Sequence, residues 1–577
     1  MKKKILGIFV CTLLIAATGL SVAGSFNLEK KTSTLEIIQP SVDATNRITN
    51  NQADLLIIAH EDFCSALKAL QIHKNATGIK TIIRSWQSFD IEYQNIGRDE
   101  PERIKLAIAD YEHDYNIKWV MLVGDCDKFP VRYVSSLEEE PRTYLPCDLY
   151  YADLYKFDGT FNNWDDDGDG VYAELRVQSP KNNVDKVNWH PDVSVGRVPA
   201  SNLAEVYTYM YKVRIYEQSN KSQWFKEALL VGGDWEPGID TKENIANNYL
   251  SGFTIHKLYH NGTHGQPHPT PTLINSFVNN GVGFLNYYGH ATLVEWATHN
   301  PPPTYYHVDN LSDLNNPTKL TIVFSSGCSN GGYAPCPPWG NYTDIYGYFH
   351  PGQTPNGTTV PPAPIQPTTP HNCDQEAMPE HWLVYSNDGA IAYLASVATT
   401  NPGYPGILDK YFFEAYENGI RTFGEMWRYM IEEYLYELFD WKGNAKRPTE
   451  WHRRASWNQL IMFHPFGDPS LRVGNGGLPF IKIELNKGFS FGVRAVIKNE
   501  GQSSATNIDW TIKVHGGFFG WIDEERHGTI PSLGPLESKG IAMGMLFGLG
   551  PILITVVAGG NVEVSDGIQW FLVTQII

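Results

Sequence analysis

The chain has 577 residues, 42% of them hydrophobic and 13% aromatic, with 31 Tyr and 16 Trp; it can bury a large core and is too long for a single one. Lys and Arg number 45 against 63 Asp and Glu, a formal net charge of -18 at pH 7. With no basic cluster beyond the amino terminus, nucleic acid is excluded as a partner, because phosphate binding needs grouped Lys and Arg.

Three lysines, Lys2 to Lys4, precede an apolar stretch from Ile5 to about Ala17 and the small residues Ser21, Val22, Ala23 and Gly24. This is the pattern of a secretory signal over residues 1–24, cleaved near Ala23; the stretch is short for a bilayer of about 30 Å, so no stable membrane span is expected after cleavage. Residues 25–50 are polar and without periodicity, and read as a leader or spacer. Six Asn-X-Ser/Thr tripeptides, beginning at Asn75, Asn220, Asn261, Asn310, Asn341 and Asn356, suit an extracellular surface.

From residue 51 apolar strands alternate with amphipathic helices. DLLIIAH (54–60), KTIIRSW (80–86) and KWVMLVGD (118–125) predict strands, and DFCSALKALQIHK and PERIKLAIADYEHDY predict helices between them. The alternation predicts a parallel sheet covered by helices, an α/β unit over 51–225. A second unit over 226–475 opens on EALLVGGDW, continues through TKENIANNYLSGF as a helix, and holds the runs GVGFLNYYGH, KLTIVFSSGC and DGAIAYLAS. The Pro-, Gly- and Thr-rich segment between Cys336 and Cys373 forms no regular element and borders the cleft in this reading. Cys126 with Cys147, and Cys336 with Cys373, are candidate disulfides of an exported chain.

Within the first unit, NWDDDGDGVYAE places Asp165, Asp167 and Asp169 at alternate positions before Gly170, the opening of a calcium loop of the EF-hand type. Val171 then stands where such a loop offers a backbone carbonyl. Position twelve is Arg176, so closure falls to Glu174 or to a distant acid such as Asp192. A structural Ca²⁺ is expected; the alternative is a solvated acidic turn.

The chemistry is concentrated in the second unit. GVGFLNYYGH ends on His290 and KLTIVFSSGC ends on Cys328, each an apolar strand, then small residues, then one reactive side chain. Buried parallel strands deliver functional groups at their carboxyl ends in this way, and an imidazole beside a thiol supports nucleophilic catalysis. Taken singly, either residue could be structural.

NYYGHATLVEW and IVFSSGCSNGG, together with WVMLVGDCDKFP, CDLYYADL, PDVSVGRVPA, DGAIAYLAS and FGDPSLRV, resemble the gingipain family of cysteine peptidases, relatives of caspases and legumains, over roughly residues 50–475. The resemblance implies a caspase-like two-part parallel-sheet catalytic region and a secreted endopeptidase acting on proteins or peptides through Cys328 and His290. It also implies an oxyanion hole from the N–H groups of Cys328 and of the residue after the histidine. That residue is usually Gly in the family and is Ala291 here, which keeps the backbone donor and adds a methyl. By the same resemblance Asp234, with Glu236 as alternate, is the acid orienting His290. Asp240, with Glu243 nearby, is the carboxylate for a basic P1 side chain; a helix N-cap is the other reading of Asp240. A transpeptidase of the same fold and a non-catalytic calcium-stabilised surface module are the alternatives.

Beyond residue 476, PFIKIELNKGFSFGVRAVIKNEG, WTIKVHGG and ILITVVAGG alternate in short runs between Gly and Asn, predicting an all-β immunoglobulin-like sandwich over 476–577. Gly and Pro inside IAMGMLFGLGPILITVVAGG favour two strands around a turn over a membrane helix.

Overall fold

The computed structural model describes residues 52–135, 144–176, 178–219, 221, 224–334, 342–343, 349–350, 376–440, 442–474, 481–499, 504–559 and 561–576. The signal and leader segments, Cys336, Cys373 and most of the Pro-rich segment lie outside the described residues.

One ten-stranded sheet forms the α/β region. Its order is Thr81–Ser85, Leu55–Ala59, Trp119–Val123, Ser194–Val198, Phe463–Gly467, Ala390–Ser396, Thr321–Ser326, Phe284–Tyr288, Glu227–Gly232, Thr254–Tyr259. The first four strands are parallel to one another, and so are the last five. Between the blocks, Phe463–Gly467 pairs parallel with Ser194–Val198 and antiparallel with Ala390–Ser396, so the two blocks run in opposite directions within a continuous sheet. The two expected units are therefore joined edge to edge. Gly196 is needed at this joint, because a Cβ there would lie 2.4 Å from Gly467 O.

Strands such as LLIIA, FLNYY and AIAYLAS are buried along their whole length, as apolar runs covered on both faces must be. Helices including Glu61–Ala76, Glu100–Tyr115, Leu203–Gln218 and Glu236–Asn248 lie between them in sequence, and their apolar residues share the core. Asp99 and Asn202 cap two of these helices through their side chains. The helix expected from Thr241 starts at Glu236 instead, with Pro237 in its first turn, where the missing N–H costs no helical bond.

Cys126 and Cys147 are not joined in a disulfide, which corrects the expected pairing. Both are buried; Cys126 Sγ lies 3.9 Å from Asp125 Oδ2, and burial pushes the Cys147 thiol pKa up.

Residues 481–576 form two antiparallel sheets around one apolar core that includes Ile497, Ile512, Val514, Ile554 and Val556. The smaller holds Ile481–Leu485, Arg494–Asn499 and Ser538–Ala542. The larger runs Gly488–Ser490, Val573–Ile576, Asn561–Phe571, Gly548–Ala558, Ala505–Gly516, Ile522–Leu533. The apolar run at 541–560 is two strands, as expected, one in each sheet, and no helix among the described residues is long and apolar enough to cross a membrane.

Candidate active site

Tyr288 and Ser326 end two adjacent parallel strands and are register partners. His290 follows the first by two residues and Cys328 follows the second by two, so the imidazole and the thiol leave the same edge of the sheet side by side. A Cβ placed on Gly327 would lie 2.4 Å from the Ala291 Cβ, which puts the Gly327–Cys328 peptide directly against the His290–Ala291 segment.

His290 opens a small antiparallel sheet with Glu295–Thr298 and Thr304–His307. At its turn Thr292 N–H donates to Glu295 O (2.9 Å), which makes 292/295 a hydrogen-bonded pair. By the alternation of antiparallel ladders, Ala291/Trp296 is a non-bonded pair, and the Ala291 N–H points away from the neighbouring strand. The Cys328 N–H has no acceptor among the described residues. Two unspent backbone donors thus accompany the two reactive side chains.

Asp234 lies just past the end of the next strand, Glu227–Gly232. Its Oδ2 accepts from the N–H groups of His299 and Asn300 (2.6 and 2.7 Å), which hold its carboxyl pKa below the ordinary carboxylate range against the opposing effect of burial. Its Oδ1 is buried without a hydrogen-bond partner and stands 3.8 Å from His290 Nε2. The Asp234 side chain is 1% exposed and that of His290 53%, so a fixed buried charge faces a solvent-accessible ring. The His299 ring packs on that of His290 at 4.6 Å.

Cys328 is half-buried and its Sγ lies 3.4 Å from Thr400 Oγ1, a hydroxyl placed by the loop after Ala390–Ser396. Ser329 adopts a left-handed conformation (φ 53°), turning the chain back immediately after the thiol. That turn delivers Asn330 into the core. Its Oδ1 accepts from Ser325 Oγ (2.7 Å), Trp296 Nε1 (2.9 Å) and Tyr393 Oη (2.5 Å), while its Nδ2 donates to Thr292 O (3.0 Å). One buried amide therefore ties the cysteine loop to the histidine turn.

Beneath the same edge a buried ion pair links Lys242 Nζ to Asp409 Oδ2 (2.6 Å). Asn286 of the histidine strand donates to Asp409 Oδ1, and Ser326 of the cysteine strand reaches Asp409 Oδ2 at 3.5 Å. Burial lowers the Lys242 pKa and raises that of Asp409.

Of the other expected site residues, Asp240 is exposed as the fifth residue of its helix and does not cap it; the N-cap position is Trp235. Glu243 is taken, its carboxylate held by Lys257 (2.8 Å) and Tyr259 (2.8 Å). Glu236 is exposed and is not the acid beside His290.

In the acidic loop, oxygens of Asp165, Asp167 and Asp185 lie within 4.8 Å of one another, as do those of Asp167, Asp169 and Glu174. Asp185 lies outside the 165–176 loop and no spacing rule could have found it. It accepts from the N–H groups of Asp166 and Glu174, and burial, with Asp167 and Asp165 nearby, pushes its carboxyl pKa up to about 7. Val171 N–H donates to Asp169 Oδ1 (2.8 Å). Asp165 Oδ1 is buried without a hydrogen-bond partner, and its Oδ2 meets Arg98 at 2.5 Å. Asp192 is spent on the N–H groups of Leu154 and Tyr155, so it does not close this loop.

The sequence profile of peptidase family C25 matches residues 48–474. Gingipain R2 of Porphyromonas gingivalis is 26% identical over 292 residues, which is 48% of this chain and 32% of that protein. Gingipain R1 of Porphyromonas gingivalis is 26% identical over the same length, covering 24% of it. The chain thus spans a third or less of these relatives. Among solved structures, that of the Arg-specific cysteine proteinase gingipain R superposes with a TM-score of 0.51 at 16% identity, over 90% of this chain and 98% of that one. The complex of the Porphyromonas gingivalis RgpB pro- and mature domains gives 0.50 at 16% identity, over 89% and 99%. At that identity the likeness is one of fold.

Proposed function

Because the chain belongs to peptidase family C25, we propose that it is a cysteine endopeptidase whose nucleophile is Cys328 and whose general acid–base is His290. The observation that carries this reading is the register of Tyr288 with Ser326, which brings His290 and Cys328 to one edge beside two unpaired N–H groups.

His290 takes the thiol proton, and the sulfur attacks the scissile carbonyl carbon. The oxyanion formed at the carbonyl oxygen is received by the N–H groups of Cys328 and Ala291. His290 returns its proton to the leaving amine as the C–N bond breaks, leaving a thioester. It then deprotonates the water that hydrolyses the thioester and restores the thiol. Asp234 Oδ1 keeps the ring oriented and stabilises its cationic form. Conversion of Cys328 to Ala tests the mechanism: peptide hydrolysis is abolished while the circular dichroism and melting transition persist, and retained hydrolysis would remove Cys328 from the role. Mass analysis of products formed with added amine separates hydrolysis from transpeptidation.

Asp240, exposed and in no ion pair among the described residues, is the carboxylate we assign to a basic P1 side chain; the related gingipain R structure is of an Arg-specific proteinase. Cleavage-site profiling of Asp240→Asn tests this by a selective loss of Arg and Lys at P1.

The loop acids fit a structural Ca²⁺. Asp165, Asp167, Asp169, Glu174 and Asp185 are the hard oxygen ligands such an ion takes, and the orphaned Asp165 Oδ1 supplies a donor with nothing else to bind. Bound there, the ion would neutralise crowded carboxylates and fix the loop. A rise in melting temperature with Ca²⁺, lost in Asp185→Ala, supports the site; an unchanged transition argues against it. The lysine-led apolar run before residue 24 supports export, and the two packed antiparallel sheets support an immunoglobulin-like reading of residues 476–577.

A further inference from the structure

We infer that the carboxyl-terminal β domain docks peripherally on an uncharged lipid surface through an apolar crown of turns. Four segments meet at one end of the six-stranded sheet: 488–492, 516–522, 543–549 and 567–573. Their adjacency follows from the strand pairing, in which Gly516 is paired with Ile522 and Ile552, Gly548 with Phe571, Trp570 with Val573, and Ser490 with Thr574. A Cβ on Gly492 would meet Met543 O at 2.4 Å, which sets the first segment against the third.

The sequence of these segments is GFSFG, GGFFGWI, MGMLFGL and GIQWFLV, without a single Asp, Glu, Lys, Arg or His. Their large side chains are left in water: Trp521 is 84% exposed, Phe547 76% and Phe489 71%, with Met545, Phe571 and Phe518 also exposed. Isolated exposed apolar residues are ordinary, but a contiguous set on neighbouring turns marks an interaction site. Phe518, Leu549, Pro551, Ile568 and Trp570 enclose a notch of about 260 Å³ between the tips.

Three observations select lipid over protein as the occupant. The exposed rings sit on separate glycine-containing turns, with Gly492, Gly517 and Gly520 at positive φ, rather than along the face of one strand. Several polar groups of the crown are already satisfied internally: Gly517 N–H donates to Pro551 O (2.7 Å), Met543 N–H to Val493 O (2.8 Å), and Gln569 Nε2 to Leu546 O and Phe571 O (2.8 and 3.0 Å). A protein interface instead offers a polar rim and about one hydrogen bond per 100–200 Å². Trp and Phe at such tips suit the boundary between headgroups and acyl chains. The four segments carry no cation to attract anionic lipid, and the chain as a whole is acidic, which favours a zwitterionic surface.

The test is flotation of the full chain with phosphatidylcholine vesicles, alongside quenching of tryptophan fluorescence by brominated phosphatidylcholine. The inference predicts flotation and quenching that high salt does not reduce. It predicts a loss on the order of tenfold or more in the triple variant Trp521→Ser, Phe547→Ser, Phe571→Ser, whose exposed positions leave the fold and the melting transition intact. Failure of the native chain to float would overturn it, as would equal flotation of the triple variant. So would binding only to anionic vesicles that salt abolishes, or a self-association seen by sedimentation in place of vesicle binding and dispersed by the triple variant.

Discussion

The methyl of Ala291 occupies the space a side chain at Gly327 would need, with only 2.4 Å between the two Cβ positions. The residue after the histidine and the residue before the cysteine are therefore a complementary pair, one with a methyl and the other with none.

This pair makes a reciprocal prediction. Gly327→Ala should lower kcat/KM by about 100-fold, since the clash displaces the Cys328 N–H and thiol from the histidine segment and a misplacement of about 1 Å has that order of effect. Adding Ala291→Gly should restore most of the loss, and a double-mutant cycle in hydrolysis rates reads the coupling. Additive losses would mean that the two positions do not meet.

Asp234→Asn should reduce kcat on the order of 10- to 100-fold with little change in KM, a smaller loss than His290→Ala causes. The amide can still accept from His299 and Asn300, but at 3.8 Å from His290 Nε2 it no longer offers a charge to the imidazolium. Steady-state kinetics check this, and an unchanged kcat would assign the carboxylate to loop structure alone.

Asn330→Ala removes the amide that joins the cysteine loop to Thr292 and leaves the Ser325 and Tyr393 hydroxyls short of an acceptor, while Trp296 Nε1 keeps only Ser325 Oγ. Stability should fall by about 1–3 kcal/mol and kcat with it, whereas Asn330→Asp, which retains the acceptor, should recover stability more than activity. Denaturant unfolding and kinetics on both variants separate the two effects.

Stability should also fall as the solution is acidified from about pH 6.5 towards 4. Burial beside Arg197 lowers the pKa of His464 to about 4, outweighing the neighbouring Asp148. Between that value and the unfolded one near 6.5, only the unfolded chain binds the proton, so the native state has its full advantage above pH 6.5 and loses it below. The gap corresponds to about 3 kcal/mol. A His464→Gln variant should show a flatter stability profile over this interval in denaturant titrations; identical profiles would show that His464 titrates alike in both states.

What the sequence made legible was local. The runs ending at His290 and Cys328 carry their strand, small residues and reactive group within ten positions, and the strands at 55 and 119 are continuous apolar segments. The groups that complete the site come from elsewhere in the chain. Thr400 and Asp409 reach it from later elements, Asn330 was visible only as one of several small polar residues, and Asp185 joins the acidic loop from beyond its repeat. The strand Phe463–Gly467, containing Pro465 and Gly467, has weak strand character, yet it is the one that unites the two halves of the sheet. The place of Asp234 beside His290 was indicated only by the family resemblance, because nothing near it in sequence announces a histidine partner.

The central claim, that the thiol and the imidazole act as a pair at one edge, is tested most directly by the rate at which iodoacetamide modifies Cys328. That rate is followed by peptide mass spectrometry across pH in the native chain and in His290→Ala. The account predicts rapid modification near neutral pH in the native chain and a fall to the rate of an ordinary thiol, rising only above pH 8, in the variant. Equal rates and identical pH profiles in the two proteins would contradict it.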